Sequence, residues 1–438
     1  MQTNFSLAQL SNPDIRDANE ILRTCVHCGF CNTTCPTYSL LGDELDGPRG
    51  RIYLIKEMLE RSRPASETDV KHLDRCLSCL SCMTTCPSGV NYLHLVDHGR
   101  RHIEETYKRK IMDRLTRRLL GAVLPSKGLF RLAILFANIS RVFGPILPRQ
   151  FQKMLSLASY SHVRNKVLTP SIYEAFGAGK YRVGILTGCV QDSLDPSINH
   201  STIRLLNRHG CDVVLLSGVN CCGAINLHLG QEEQAIKHIE ANVQTWLASD
   251  NLKKLDAIII NMSGCGTTVK DYGHILRDDV KFGKLGAKVS ALAVDISEFI
   301  HRIGIKDSQL TKKFRVAYQS PCSLQHGQRV LSEPITLLEA CGFDVVLPKN
   351  GHICCGSAGT YNILEDEIAE ELGTKKFRSL EDCSPDIIAS GNLGCIMQLK
   401  NAGDGVKPFP IVHTVELLDW ATGGPPPLSM NKNLGDLS

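Results

Sequence analysis

Four cysteines in CVHCGFCNTTCP (Cys25, Cys28, Cys31 and Cys35, then Pro36) and four in CLSCLSCMTTCP (Cys76, Cys79, Cys82 and Cys86, then Pro87) share one spacing. Cys-x2-Cys-x2-Cys-x3-Cys-Pro is how bacterial ferredoxins hold cubane clusters. Three thiolates wrap three corners of one cluster, and the turn before proline carries the fourth to the other cluster. The expected ligation is therefore crossed: Cys25, Cys28, Cys31 and Cys86 for one [4Fe-4S] cluster, and Cys76, Cys79, Cys82 and Cys35 for the second. Structural zinc also favours Cys-x2-Cys pairs, but a third cysteine two residues on, repeated twice, has no zinc rationale. His27 reads as a local hydrogen-bond donor, since four thiolates saturate each cubane.

Eight further cysteines form an internal repeat. Cys189, Cys221 and Cys222 recur 133 residues later as Cys322, Cys354 and Cys355, and Cys265 recurs 130 later as Cys395. In both halves the adjacent pair is followed by glycine, in NCCG and ICCG. Adjacent cysteines point their Cβ atoms apart and seldom bridge, so each pair reads as two ligands on one turn, with Gly223 or Gly356 supplying a conformation that a side chain would forbid. Four thiolates converging in each half suit one further iron-sulfur cluster per half, and zinc or a reactive thiol site are the alternatives. Cys211, Cys341 and Cys383 have no counterpart and read as small buried hydrophobes.

The elements that must position these residues differ along the chain. Between the two motifs, GPRGRIYLIKEMLERS reads as a helix with Pro48 near its start and Ile52, Leu54, Ile55, Met58 and Leu59 on one side. The first 100 residues are thus expected to be a largely helical two-cluster module. Beyond a helical connector at 101–180, the runs YRVGILTG, DVVLLSG and LDAIIINMSG, then FRVAYQSP, FDVVLPKN and PDIIASGN, alternate with helical stretches. Such alternation implies parallel sheets with the repeated cysteines just after strand carboxyl ends. The expected architecture is α+β overall, with α/β cysteine-rich domains at 181–310 and 311–420 and a disordered tail at 421–438.

Nineteen cysteines in 438 residues with no secretory signal point to reduced thiols and a cytoplasmic protein. A net charge of +4 gives no argument for nucleic acid, and its excess sits in one place. Between Gly99 and Arg118 lie Arg100, Arg101, Lys108, Arg109, Lys110, Arg114, Arg117 and Arg118 against three acids. The apolar stretch LLGAVLPSKGLFRLAILFANISRVFGPILP follows. The plain reading is a solvated helix face on its own domain; the sharper one is peripheral contact with the cytoplasmic face of the inner membrane.

Two ferredoxin motifs followed by two CCG domains resemble the iron-sulfur subunits of membrane-associated flavin dehydrogenases, glycolate oxidase in particular. The likeness is carried by CVHCGFCNTTCPTYSLLGDELDGPRGRIYLIKEMLE, HLDRCLSCLSCMTTCPSGV, SGCG, CSLQHGQ and CCGSAGTY and runs from about residue 18 to 420. It implies a flavin-binding partner subunit carrying FAD, a second related subunit, and electrons passed from the oxidation of glycolate to a membrane quinone pool. Heterodisulfide-reductase-like CCG domains end in CxxC. Here Met262 and Asn392 occupy those places, which argues against the alternative of a thiol or disulfide reductase. Lactate and glycerol 3-phosphate dehydrogenase assemblies use similar parts. No dinucleotide fingerprint and no P-loop is present, so no catalytic residue is expected on this chain. His209, His228, His326 and His352 lie near the CCG turns in sequence and read mainly as packing residues.

Overall fold

A computed structural model describes residues 1–140, 168–248, 255–403 and 409–430. The amino-terminal module is helical. Helix α1 (Pro48–Glu60) starts at a proline and buries Ile52, Leu54, Ile55, Met58 and Leu59, the side its sequence pattern predicts. It packs on α2 (Tyr92–Thr106). Gly99 makes the close approach possible, since a Cβ there would stand 2.7 Å from Leu73 Cδ2 and 2.9 Å from Ile55 Cγ1.

The connector begins with α3 (Ile111–Val123) and α4 (Lys127–Ser140). Much of its basic excess is structural. Arg109 and Arg117 are buried, and both pair with Asp74 of the amino-terminal module, at 2.7 and 2.8 Å. Asn226 Nδ2 donates to Gly121 O at 3.1 Å and Gln231 Nε2 to Arg117 O at 3.2 Å, which fixes α3 on the first cysteine-rich half. Part of the connector expected to be helical, 141–167, lies outside the described residues. Its end is not helical: β1 (Ser171–Tyr173) is a strand of the first sheet.

That sheet contains β1, β2 (Tyr181–Leu186), β3 (Cys211–Leu215), β4 (Ala257–Ile260) and β5 (Ala293–Asp295) in the order β1-β3-β2-β4-β5. All neighbours are parallel except β1, which pairs antiparallel with β3, Ser171 opposite Leu215. The second sheet repeats the parallel part. It has β6 (Arg315–Gln319), β7 (Asp344–Val346), β8 (Ile387–Ser390) and β9 (Ile411–His413) in the order β7-β6-β8-β9. In each sheet the chain crosses from the inner strand first to one side and then to the other. This reversal opens a crevice at the strand carboxyl ends, where α/β sheets take ligands.

Strand residues alternate between two buried faces, as parallel sheets require. Val183, Ile185, Ala257 and Ile259 enter the same core as Val316, Tyr318, Ile387 and Ala389, so the two halves share one interior. Ile258 and Ile260 turn to a separate core on the far face of the first sheet, Ala317 and Ile388 to another on the second. Across the junction Arg204 and Arg208 reach the fully buried Asp419 at 2.9 and 3.0 Å. The carboxyl end departs from the expected disordered tail at 421–438. Met430 is 3% exposed and lies in the shared core, because the turn after Pro427 brings its side chain back inside. Residues 431–438 lie outside the described residues. Cys211 and Cys341 are buried core residues as expected; Cys383 is only half-buried, its thiol donating to Ser379 O.

Candidate metal centres

The two amino-terminal motifs adopt the same local conformation. His27 and Gly29 in the first, and Ser78 and Leu80 in the second, stand two and four residues after the leading cysteine, and all four have left-handed φ, from 48° to 86°. These turns aim backbone amides at sulfur: the His27 amide at Cys25, the Ser78 amide at Cys76 and the Ser81 amide at Cys79. A left-handed leucine is costly for an L-residue, and among the four only Gly29 signals the turn in sequence. The contribution of His27 is thus its backbone, whereas the sequence suggested a hydrogen-bonding residue without saying which group.

The thiols gather in the crossed arrangement. One hollow is lined by Cys25, Cys28, Cys31 and Cys86, with Cys82 in its wall. A second is lined by Cys35, Cys76, Cys79 and Cys82. The donors are thiols, with no carboxylate among the lining residues, which suits iron-sulfur or zinc and excludes hard cations.

The charge around the second hollow fits an anionic occupant. The Arg51 guanidinium is buried, with Nη1 3.8 Å from Cys35 Sγ, Nη2 3.0 Å from Thr37 Oγ1 and Nε donating to His72 O at 2.7 Å. Buried Arg100 donates to Ser78 Oγ at 2.6 Å and Cys76 O at 2.7 Å. It has no carboxylate at ion-pair distance among the described residues. Tyr92 OH donates to Cys76 Sγ at 3.6 Å. Burial alone would raise the Cys76 thiol, but Arg51 and Arg100 outweigh it and hold its pKa below the ordinary value. A buried guanidinium without a carboxylate is expensive, and a cluster in this hollow, made net negative by its four thiolates, would supply the missing counterion. Sequence reasoning missed Arg51, Arg100 and Tyr92, because nothing in their spacing ties them to the motifs.

The eight repeated cysteines lie after the predicted strand ends, and each half forms a contiguous quartet. Cys189 Sγ is 3.5 Å from Cys221 Sγ, Cys221 touches Cys222, and Cys222 touches Cys265. Cys322, Cys354, Cys355 and Cys395 repeat the pattern. The expectation of one site per half needs refinement. Both quartets line a single cavity of about 390 Å³, because the carboxyl-end turns of the two sheets are bonded to each other. Asn392 Nδ2 donates to Ser263 Oγ at 2.7 Å, Gln328 Nε2 to Ser263 O at 2.9 Å, and Thr267 Oγ1 to Ser323 O at 3.0 Å. Asn392 and Met262 both line the cavity, at the places where a closing CxxC would put sulfur.

Gly223 and Gly356 have φ of 90° and 86°, as the CCG turns demand. At Gly356 a Cβ would also stand 2.5 Å from Ala369 O. Gly356→Ala is expected to cost on the order of 1–3 kcal/mol from backbone strain, with the clash added. A lowered Tm, measured on purified protein, checks this.

Of the four histidines considered, His228 lines the cavity. Burial and then nearby Arg100 bring its pKa down to about 3, so its imidazole is neutral, and Nδ1 has no hydrogen-bond partner among the described residues. His326 instead bridges Thr84 Oγ1 at 2.8 Å and His352 O at 3.4 Å, tying the second half to the amino-terminal module. His209 is structural, held by Leu205 O and the Lys306 amide.

The three spaces adjoin one another. Cys82 lines both the first and second hollows, and Leu77, Ser78 and Cys79 line both the second hollow and the cavity. Cys28, at the far end of this row, is exposed.

Fold and site together define an iron-sulfur protein with an amino-terminal ferredoxin module and tandem cysteine-rich domains. Residues 21–90 match the 4Fe-4S dicluster domain family, and 183–270 and 316–400 each match the cysteine-rich domain family. The glycolate oxidase iron-sulfur subunit of Escherichia coli (strain K12) is 38% identical over 421 residues, 96% of this chain and 99% of the relative. The chain belongs to the glycolate oxidase iron-sulfur subunit family. A probable glycolate oxidase iron-sulfur subunit of Bacillus subtilis (strain 168) is 29% identical over 97% of this chain and 99% of its own length. A fumarate reductase (CoM/CoB) chain of Methanothermobacter marburgensis is 26% identical, covering 95% of this chain and 75% of its own. A crystal structure of a hypothetical protein from Helicobacter pylori aligns with TM-score 0.52 at 10% identity over 96% of this chain and 74% of that one, a likeness of fold alone.

Proposed function

We propose that this chain is the electron-transfer subunit of a flavin-dependent complex that oxidises glycolate to glyoxylate and passes the electrons to a quinone-type acceptor at the cytoplasmic face of the inner membrane. The observation that carries this reading is the row of three adjoining thiol-lined spaces, exposed at Cys28 and buried at Cys222 and Cys355. Oxidation of glycolate releases two electrons and two protons; a flavin can take them as a hydride and a proton, whereas an iron-sulfur cluster passes electrons one at a time. The first two spaces suit one [4Fe-4S] cluster each, ligated as the crossed spacing predicts, and the cavity quartets suit further iron-sulfur or zinc.

The residues of the chain bind, orient and shield these centres. Backbone amides and Tyr92 hydrogen-bond to sulfur, and Arg51 and Arg100 place positive charge beside the second hollow. Both effects favour the reduced state, so the second cluster is expected at a higher potential than the first, which has fewer buried cations. That order would draw electrons inward from Cys28. The flavin belongs on a partner subunit, docked at the exposed end where Val26 and Phe30 are also exposed.

The test is turnover. The isolated chain should not oxidise glycolate with an artificial dye, and adding the flavin subunit should confer dye reduction. Glycolate oxidation by the isolated chain would refute the reading.

A further inference from the structure

We infer that the α3–α4 elbow is a lipid-docking element that seats on an anionic bilayer surface and places the thiol cavity directly behind that surface. This rests on the quinone-reducing reading above. The two helices meet at a bend of 117°. Neither is long and apolar enough to cross a membrane, and each is strongly two-sided. On α3 the inward side, Thr116, Arg117, Leu120 and Gly121, is buried on the protein. The outward side presents Ile111, Met112 and Leu115, with Ile111 74% exposed; α4 also exposes Leu132 and Phe136, the latter 59% exposed. Large apolar side chains left exposed along two joined helices mark a surface with something to bind.

Charge selects the occupant. Lys108, Lys110, Arg114 and Arg118 are exposed beside the stripe, and none has an acidic partner at ion-pair distance among the described residues. Two of the segment's three acids, Glu104 and Asp113, are committed to the buried Arg109 and Arg117 instead. A protein interface of this size would be built around Tyr and Trp and would disfavour Lys. Aliphatic residues flanked by Lys and Arg are the makeup of helices that lie in the headgroup layer of anionic lipid. The inner side of the same elbow is a wall of the cavity, through Leu120, Val123, Phe130 and Ile134. The elbow thus carries the thiol cavity on its inner side and, in this reading, lipid on its outer side.

The test uses the complete complex with its flavin subunit, mixed with vesicles containing phosphatidylglycerol or phosphatidylcholine alone. The wild type should sediment with the anionic vesicles and be released by salt. It should also reduce a long-chain quinone dissolved in them, two electrons coming from glycolate and two protons from water. Leu115→Glu with Leu132→Glu, both exposed positions, should weaken vesicle binding by at least about tenfold and slow quinone reduction in parallel, leaving reduction of a soluble dye unchanged. Arg114→Glu with Arg118→Glu should abolish the preference for anionic lipid. The inference is overturned if the wild type ignores both vesicle types, or if the variants bind as the wild type does. It is equally overturned if the variants lose dye reduction through failed assembly, which would make the elbow a protein interface. A wild-type complex that reduces the dye but binds neither vesicle type would remove the docking element and leave the electron-transfer reading standing.

Discussion

Cys35→Ser is expected to destroy the cluster held by the second cysteine motif and to spare that of the first, although Cys35 itself belongs to the first. Its thiol faces Thr37 Oγ1 at 3.3 Å and Arg51 Nη1 at 3.8 Å and lines the hollow of Cys76, Cys79 and Cys82. It is not among the residues lining the hollow of Cys25, Cys28 and Cys31. Iron should fall by about four per chain, or that cluster should be left as a three-iron form. Glycolate-driven reduction of the terminal acceptor should drop by orders of magnitude, because the second hollow is the one space that adjoins both the others. The decisive comparison is spectroscopic. Under reduction the Cys35→Ser spectrum should match that of Cys79→Ser and differ from that of Cys28→Ser; a match to Cys28→Ser would refute the crossed ligation.

Arg51→Met is expected to have the largest effect on stability. Its guanidinium is buried and lies 3.6 Å from Asp46, which is itself fully buried and also held by His72 at 2.9 Å and Arg75 at 2.9 Å. Removing one member of such a buried network strands the charge and hydrogen-bond acceptors it served, at a cost of about 3–5 kcal/mol. The His72 carbonyl and Thr37 hydroxyl each lose a donor as well. Thermal unfolding of the holoprotein checks this. A second readout separates structure from electrostatics: the midpoint potential of the second cluster should become more negative in Arg51→Met, and Arg51→Lys should restore much of the potential but little of the stability, since lysine keeps the charge and loses the planar fork.

Much of this architecture is legible in the sequence, and the parts that are not share a physical cause. The six strands recognised as β-branched runs ending in turn residues, from YRVGILTG to PDIIASGN, are β2, β3, β4, β6, β7 and β8. The three that escaped, Ser171–Tyr173, Ala293–Asp295 and Ile411–His413, have three residues each, too few for periodicity to register; β7 is equally short, but FDVVL there repeats the CDVVL of β3. Cysteine spacing gave the crossed sets because it encodes which corners of a cubane neighbouring residues can reach. The fusion of the two CCG quartets into one cavity escaped, because it depends on contacts between Ser263 and Asn392, which stand 129 residues apart. The buried cations Arg51 and Arg100 were likewise invisible, since burial of a charge is decided by the tertiary partners that surround it. Charge counted along the connector misled in part: Arg109 and Arg117 contribute to a basic run in sequence and to a buried ion-pair network with Asp74 in the fold.

The most direct test of the central claim is to mix the anaerobic complete complex with glycolate, freeze it at intervals of milliseconds to seconds, and record its paramagnetic resonance spectrum. The account predicts that a reduced [4Fe-4S] signal from this chain appears at the rate of turnover and is lost, or confined to the first cluster, in Cys35→Ser. A complex that turns over glycolate and reduces its acceptor while these clusters stay oxidised throughout would contradict it.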